Sequence, residues 1–135
     1  MQRCEAELRN FLVDRRKELL ATPPERVTGS ELLAAHSALV DEVLRGVYDL
    51  SSRHALDTQA EHFDPDRTQL AIIATGGYGR CELNPFSDID IAFVPSEEDN
   101  LFLDAATKEA FRLVVELFLD STDLQVGYAY RPLGD

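Results

Sequence analysis

The sequence predicts a small α+β domain, with two helices ahead of a short mixed sheet. Three observations carry that expectation. Apolar residues recur at three- and four-residue steps through the first fifty residues, two compact apolar runs follow at 70–74 and 89–94, and a glycine cluster separates those runs. At 135 residues and 44% hydrophobic content the chain is one domain of ordinary size with enough apolar material for a core.

The first helix is expected over about residues 3–21, with Leu8, Phe11, Leu12 and Leu19 on one stripe. Thr22-Pro23-Pro24 ends it, because proline removes a donor and restricts the residue before it. Thr28 and Glu31 fit a capping box that opens a second helix. Its buried stripe is Leu32, His36, Leu39, Val40, Val43, Leu44, Val47 and Leu50. The polar stretch Ser51 to Thr68, with Asp64-Pro65-Asp66, reads as a linker to the first strand. This divides the chain into a helical segment, 1–60, and a core, 61–135.

In the core, Leu70 to Ala74 is a strand that breaks at Thr75 into Gly76-Gly77-Tyr78-Gly79-Arg80, and Ile89 to Val94 is a second strand. The loop 95–100 leads to a helix over about 102–119, with Leu103, Ala106, Ala110, Leu113, Val114, Leu117 and Phe118 buried. A last strand opens at Asp123, where Leu124, Val126, Tyr128 and Tyr130 alternate with Gln125, Gly127, Ala129 and Arg131. The sequence stops at Leu133-Gly134-Asp135, directly after that strand, and so reads as a piece of a longer protein.

Composition limits the function. Net charge is −12, from 13 basic and 25 acidic residues, which argues against an extended nucleic-acid surface. A small nucleotide carried with Mg²⁺ remains compatible. Cys4 and Cys81 have no metal-ligand spacing, so reduced thiols and a cytoplasmic location are expected. No stretch approaches the ~18 apolar residues of a membrane span, and residues 1–5 do not open a signal peptide.

The chemistry lies between the two strands. Side chains alternate along a strand, so Asp88 and Asp90 share one face about 6.6 Å apart while Ile89 and Ile91 face the other way. Two such carboxylates repel unless a cation lies between them, and hard oxygen ligands suit Mg²⁺ completed by substrate phosphates. Gly76 and Gly77 leave no Cβ at the strand end, so backbone N–H groups can approach a phosphate. Alone, the glycine pair reads first as a tight turn, and Asp88 and Asp90 as an exposed strand face or turn caps. Together, eleven residues apart from Gly77 to Asp88, they describe a phosphoryl-transfer site. Arg80 fits either a substrate phosphate or a salt bridge with Glu82, and Ser87 fits either a turn cap or a phosphate contact.

Other polar groups have plainer readings. Glu97, Glu98, Asp99 and Asp104 read as a solvated face, His36 as a packed residue, and His54 and His62 as linker residues with no ligand cluster.

The run Gly76-Gly77-Tyr78-Gly79-Arg80, Glu82-Leu83, Pro85 and Ser87-Asp88-Ile89-Asp90 resembles the signature of the DNA polymerase beta-like nucleotidyltransferases. Within that superfamily it is most similar to the protein-PII uridylyltransferase (uridylyl-removing enzyme) branch. The resemblance implies the polymerase beta-like fold and transfer of a nucleoside monophosphate from a nucleoside triphosphate. It assigns Asp88 and Asp90 to catalysis and Mg²⁺ binding, and Gly76, Gly77, Arg80 and Ser87 to the substrate. It also implies UTP as donor and a tyrosine of a PII-type signalling protein as acceptor partner, with the cytoplasm as location. The superfamily commonly adds a third carboxylate from a later strand. The expected face there, Gln125, Gly127, Ala129 and Arg131, has no acid, and Asp123 stands only at its start. The adenylyltransferase branch has an acid where Gly127 stands, which favours the uridylyltransferase branch. A small-molecule acceptor, or an idle nucleotide-binding module on the same fold, are the alternatives.

Overall fold

A computed structural model describes residues 4–26, 28–75, 89–120, 122 and 126–130. Helix α1 spans Glu5–Ala21, and a 3₁₀ turn, Pro24–Arg26, leads to α2, Gly29–Gln59. A second 3₁₀ turn, Ala60–His62, precedes strand β1, Leu70–Thr75. Strand β2 is Ile89–Pro95, helix α3 is Leu101–Val114 continued by a π-helical turn, Val115–Asp120, and strand β3 is Val126–Tyr130. The sheet has the order β1-β2-β3, antiparallel between the first two and parallel between the last two. The parallel pair requires a crossover, and α3 supplies it.

The starts of the helices follow from side-chain chemistry. The Thr28 hydroxyl accepts from the Glu31 N–H at 3.1 Å, and the Asn100 Oδ1 accepts from the Leu103 N–H at 3.0 Å, each satisfying a donor that the helix leaves unpaired. Asn100 also donates to the His62 carbonyl at 3.1 Å and to Glu97 at 2.8 Å, tying the end of α2 to the start of α3. Before it, Asp99 has φ 55, a left-handed conformation that aspartate tolerates better than most residues.

Helix α2 corrects the linker expectation. It continues past Leu50 to Gln59, with Ser51 and Ala55 buried in step with Val47. Nothing between residues 51 and 59 breaks a helix, and the Ser51 hydroxyl donates to the Tyr48 carbonyl at 3.1 Å, so a polar residue joins the buried stripe. The true connection is 63–69. There Asp64 forms a turn in which its carboxylate accepts from the Asp66 N–H at 3.0 Å. Ser96 closes it: its hydroxyl accepts from the Gln69 N–H at 2.8 Å and donates to the Arg67 carbonyl at 2.6 Å, fastening the end of β2 to the start of β1.

One hydrophobic cluster draws on every layer: Leu8 and Leu12 of α1, Val40, Val43 and Val47 of α2, Leu103, Ala110 and Leu113 of α3, and Ile89, Ile91 and Phe93 of β2. Each fully buried large side chain contributes about 1.5–3 kcal/mol of transfer free energy. At the α1–α2 crossing a Cβ on Gly46 would lie 2.5 Å from a Leu8 methyl, so glycine sets how closely the helices approach. Arg112 donates to Glu109, Glu5 and Glu116 and bridges α3 to the start of α1; these bonds, led by Glu109, raise its pKa.

Burial alternates only at the start of β2, where exposed Asp90 stands between buried Ile89 and Ile91; Ala92, on the same face as Asp90, is buried. Ile89, Ile91 and Phe93 meet the helices, and the opposite face carries exposed Asp90. On that same face β1 presents Ala71, Ile73 and Thr75, all exposed. The helices therefore cover one side of the sheet and leave Asp90 on the other.

Candidate active site

Asp90 sits on the central strand, paired with Thr75 of β1 on one side and Gly127 of β3 on the other. Its neighbours in the chain, Ile89 and Ile91, are 0% and 2% exposed, which anchors the strand and aims the intervening carboxylate away from the core. The carboxylate leans toward β3. Its Oδ1 comes close to where a Cβ on Gly127 would be, so it leans into the space that the glycine leaves open.

Of the residues assigned from sequence, Asp90 alone lies among the described residues. Asp88, Gly76, Gly77, Arg80 and Ser87 lie outside them, as does Asp123. Among the described residues, no three His, Cys, Asp or Glu come together as metal ligands. An exposed carboxylate on the open face is nevertheless the hard oxygen donor that Mg²⁺ accepts, and the sequence puts a second one two residues earlier. The described part of β3 carries only Gly127 and Ala129 on this face, with no acid.

The remaining polar residues lie elsewhere. His36 is fully buried between α1 and α2, where its Nε2 is 2.9 Å from Arg16 Nη1; the guanidinium can only donate, so the imidazole nitrogen accepts. Desolvation lowers the pKa of Arg16. His54 Nε2 is 3.7 Å from Glu109 at the α2–α3 seam, and His62 is 3.5 Å from Glu61. Glu98, Asp99 and Asp104 are exposed and Glu97 half-buried, as a solvated face requires.

Thr75 and Gly127 are the two positions whose place at the site the sequence did not reveal. Thr75 reads there as a strand end and Gly127 as a missing acid. A glycine in the middle of an alternating strand was the available signal, since such a glycine often marks a close approach.

An acid on the middle strand of a short mixed sheet, with helices packed behind it, is the frame of a polymerase beta-like nucleotidyltransferase. The chain belongs to the glutamate-ammonia ligase adenylyltransferase family, whose family model matches residues 6–113. It is also similar to the bifunctional uridylyltransferase/uridylyl-removing enzyme of Azospirillum brasilense, 33% identical over 134 residues, which cover 96% of this chain and 13% of that protein. The enzyme of the same name from Nitrosococcus oceani is 30% identical over 128 residues, covering 95% and 13%. That from Erythrobacter litoralis is 39% identical over 88 residues, covering 64% and 9%. The chain thus spans only about an eighth of the Azospirillum and Nitrosococcus relatives. No solved structure gives a significant match. The family match ends at residue 113, ahead of β3 and the position that separates the two branches in sequence. Among the described residues, no helix is long and apolar enough to cross a membrane.

Proposed function

We propose that this chain is the core of a nucleotidyltransferase that moves a uridylyl group from UTP to a tyrosine hydroxyl of a PII-type signalling protein in the cytoplasm. The observation that carries the reading is the exposed Asp90 carboxylate on the open face of β2, at the end of the Gly76-Gly77 to Asp88-Ile89-Asp90 run. The uridylyltransferase relatives support a uridylyl group as the one moved, and the PII-type acceptor comes from the resemblance of the Gly76 to Asp90 run.

In this reading Gly76 and Gly77 let backbone N–H groups approach the triphosphate, and Arg80 and Ser87 contact its oxygens. Asp88 and Asp90 hold Mg²⁺, which when bound neutralises charge on the α-phosphate and on the departing pyrophosphate. The acceptor oxygen forms a bond to the α-phosphorus, the bond from that phosphorus to the bridging oxygen breaks, and the hydroxyl proton passes to solvent. Positioning and charge stabilisation supply most of the catalysis in such a transfer. The helical segment 1–60 serves as the support behind the core at 61–135.

A second reading is a nucleotide-binding module without turnover, and the absence of an acid at Gly127 and Ala129 favours it. Incubation with Mg²⁺, α-labelled UTP or ATP and a PII protein with or without its tyrosine separates the two. We expect label on the tyrosine from UTP and an equal yield of pyrophosphate. Tight Mg²⁺-nucleotide binding with neither product would overturn the transferase reading in favour of the idle module.

A further inference from the structure

The sheet order β1-β2-β3 leaves β1 at one border, paired with β2 alone. The ladder fixes which of its backbone groups face outward. Just before β1 the Ser96 N–H donates to the Gln69 carbonyl at 2.7 Å. Backbone direction alternates along an antiparallel strand, so Ala71, Ile73 and Thr75 turn their N–H and C=O groups toward β2, and Leu70, Ile72 and Ala74 turn theirs away from it. Among the described residues no strand meets that edge. Edge strands are ordinarily guarded by a lysine, a proline or a bulge. Leu70–Thr75 has no charge and no proline, its register with β2 runs without a bulge, and Ile73 is 46% exposed on the open face.

We propose that this edge receives, as an added strand, the segment of the partner protein that carries the acceptor tyrosine. The inference rests on the proposed transferase reading. Position and charge select this occupant. Thr75 at the end of β1 pairs with Asp90, so a residue of the added strand level with Thr75 faces the same open side, two strand spacings or about 9–10 Å from Asp90. A tyrosine there points its hydroxyl across Thr75 toward a phosphorus held over Asp90. A second copy of this chain is the poorer occupant, because each copy carries a net charge of −12 and the two repel. Main-chain bonds to Leu70, Ile72 and Ala74 supply affinity, and side chains that alternate onto exposed Ala71 and Ile73 supply selectivity.

The test is amide hydrogen exchange of the chain, read residue by residue by NMR, alone and with a PII protein whose tyrosine is replaced by phenylalanine, which docks without chemistry. In the free chain the amides of Ile72 and Ala74 are expected to exchange fast, and that of Ile73, bonded to β2, slowly. Adding the PII protein is expected to slow Ile72 and Ala74 at least tenfold and to leave Ile73 as it was. Ile72→Pro removes an outward donor that an edge strand can spare, and is expected to raise KM for the PII protein about tenfold with KM for UTP unchanged. If that variant does not fold, the exchange measurement decides alone. Exchange that stays fast while the unsubstituted PII protein is labelled overturns the docking and leaves the transferase reading standing. A PII protein that neither binds nor accepts label overturns both. Slow exchange of Ile72 and Ala74 already in the free chain also overturns the docking, and protection that grows with concentration identifies a second copy as the occupant.

Discussion

Asp90→Ala is expected to reduce nucleotidyl transfer about a thousandfold, corresponding to roughly 4 kcal/mol of lost transition-state stabilisation. The loss follows from position. Asp90 is the described carboxylate that the open face presents from the central strand, and replacing it removes a hard oxygen and a negative charge while leaving the core face untouched. The change is expected to fall mainly on kcat, since the charge it offsets grows as pyrophosphate departs. Asp90→Asn keeps the shape beside Gly127 but not the charge, and is expected to lose nearly as much. Steady-state pyrophosphate release, with circular dichroism to confirm an unchanged fold, checks both. Activity within threefold of the unsubstituted chain would remove Asp90 from the site.

Phe93→Ala is expected to cost about 3–5 kcal/mol of stability, a large share of the 5–15 kcal/mol typical of a small domain. Phe93 is 2% exposed on the helix-facing side of β2, within the same cluster as Ile91, Leu103 and Leu113. Its removal subtracts a ring from the centre of the cluster and leaves a cavity that the surrounding helices close only in part. Ile73→Ser is the contrast. Ile73 lies on the open face and is 46% exposed, so its substitution is expected to stay within about 0.5 kcal/mol. Urea unfolding of both variants checks the difference, and similar losses would contradict the assignment of the two sheet faces.

The open face was legible in the sequence at the start of β2, where Ile89 and Ile91 flank Asp90, while beyond it residues 91–94 are apolar on both faces. The carboxylate could be placed before any coordinates. The start of α2 and its buried stripe were legible as well, since the Thr28 cap and the three- and four-residue steps agree. The end of α2 was not. Ser51 counts as polar in any hydrophobic pattern, yet it is buried because its hydroxyl satisfies itself within the helix. The last turns of the third helix were expected as α-helix and form a π-helical turn, while Leu117 and Phe118 still reach the core as expected.

The site divided in the same way. Local chemistry, a glycine pair and two aspartates on either side of a turn, could be read along the chain. The meaning of Gly127 could not, because it depends on the pairing Asp90 to Gly127 across a crossover that no local pattern specifies. Sequence showed only that an acid was missing from β3. The register shows that the position without an acid lies directly beside Asp90.

The most direct measurement is isothermal titration of UTP and ATP, each with and without Mg²⁺, into the chain and into its Asp88→Ala/Asp90→Ala variant. Binding of UTP that requires Mg²⁺, exceeds that of ATP and disappears in the double variant is the predicted result. Folded protein that binds neither nucleotide, or binds them equally well with both aspartates removed, would contradict the assignment of this face as a nucleotidyl-transfer site.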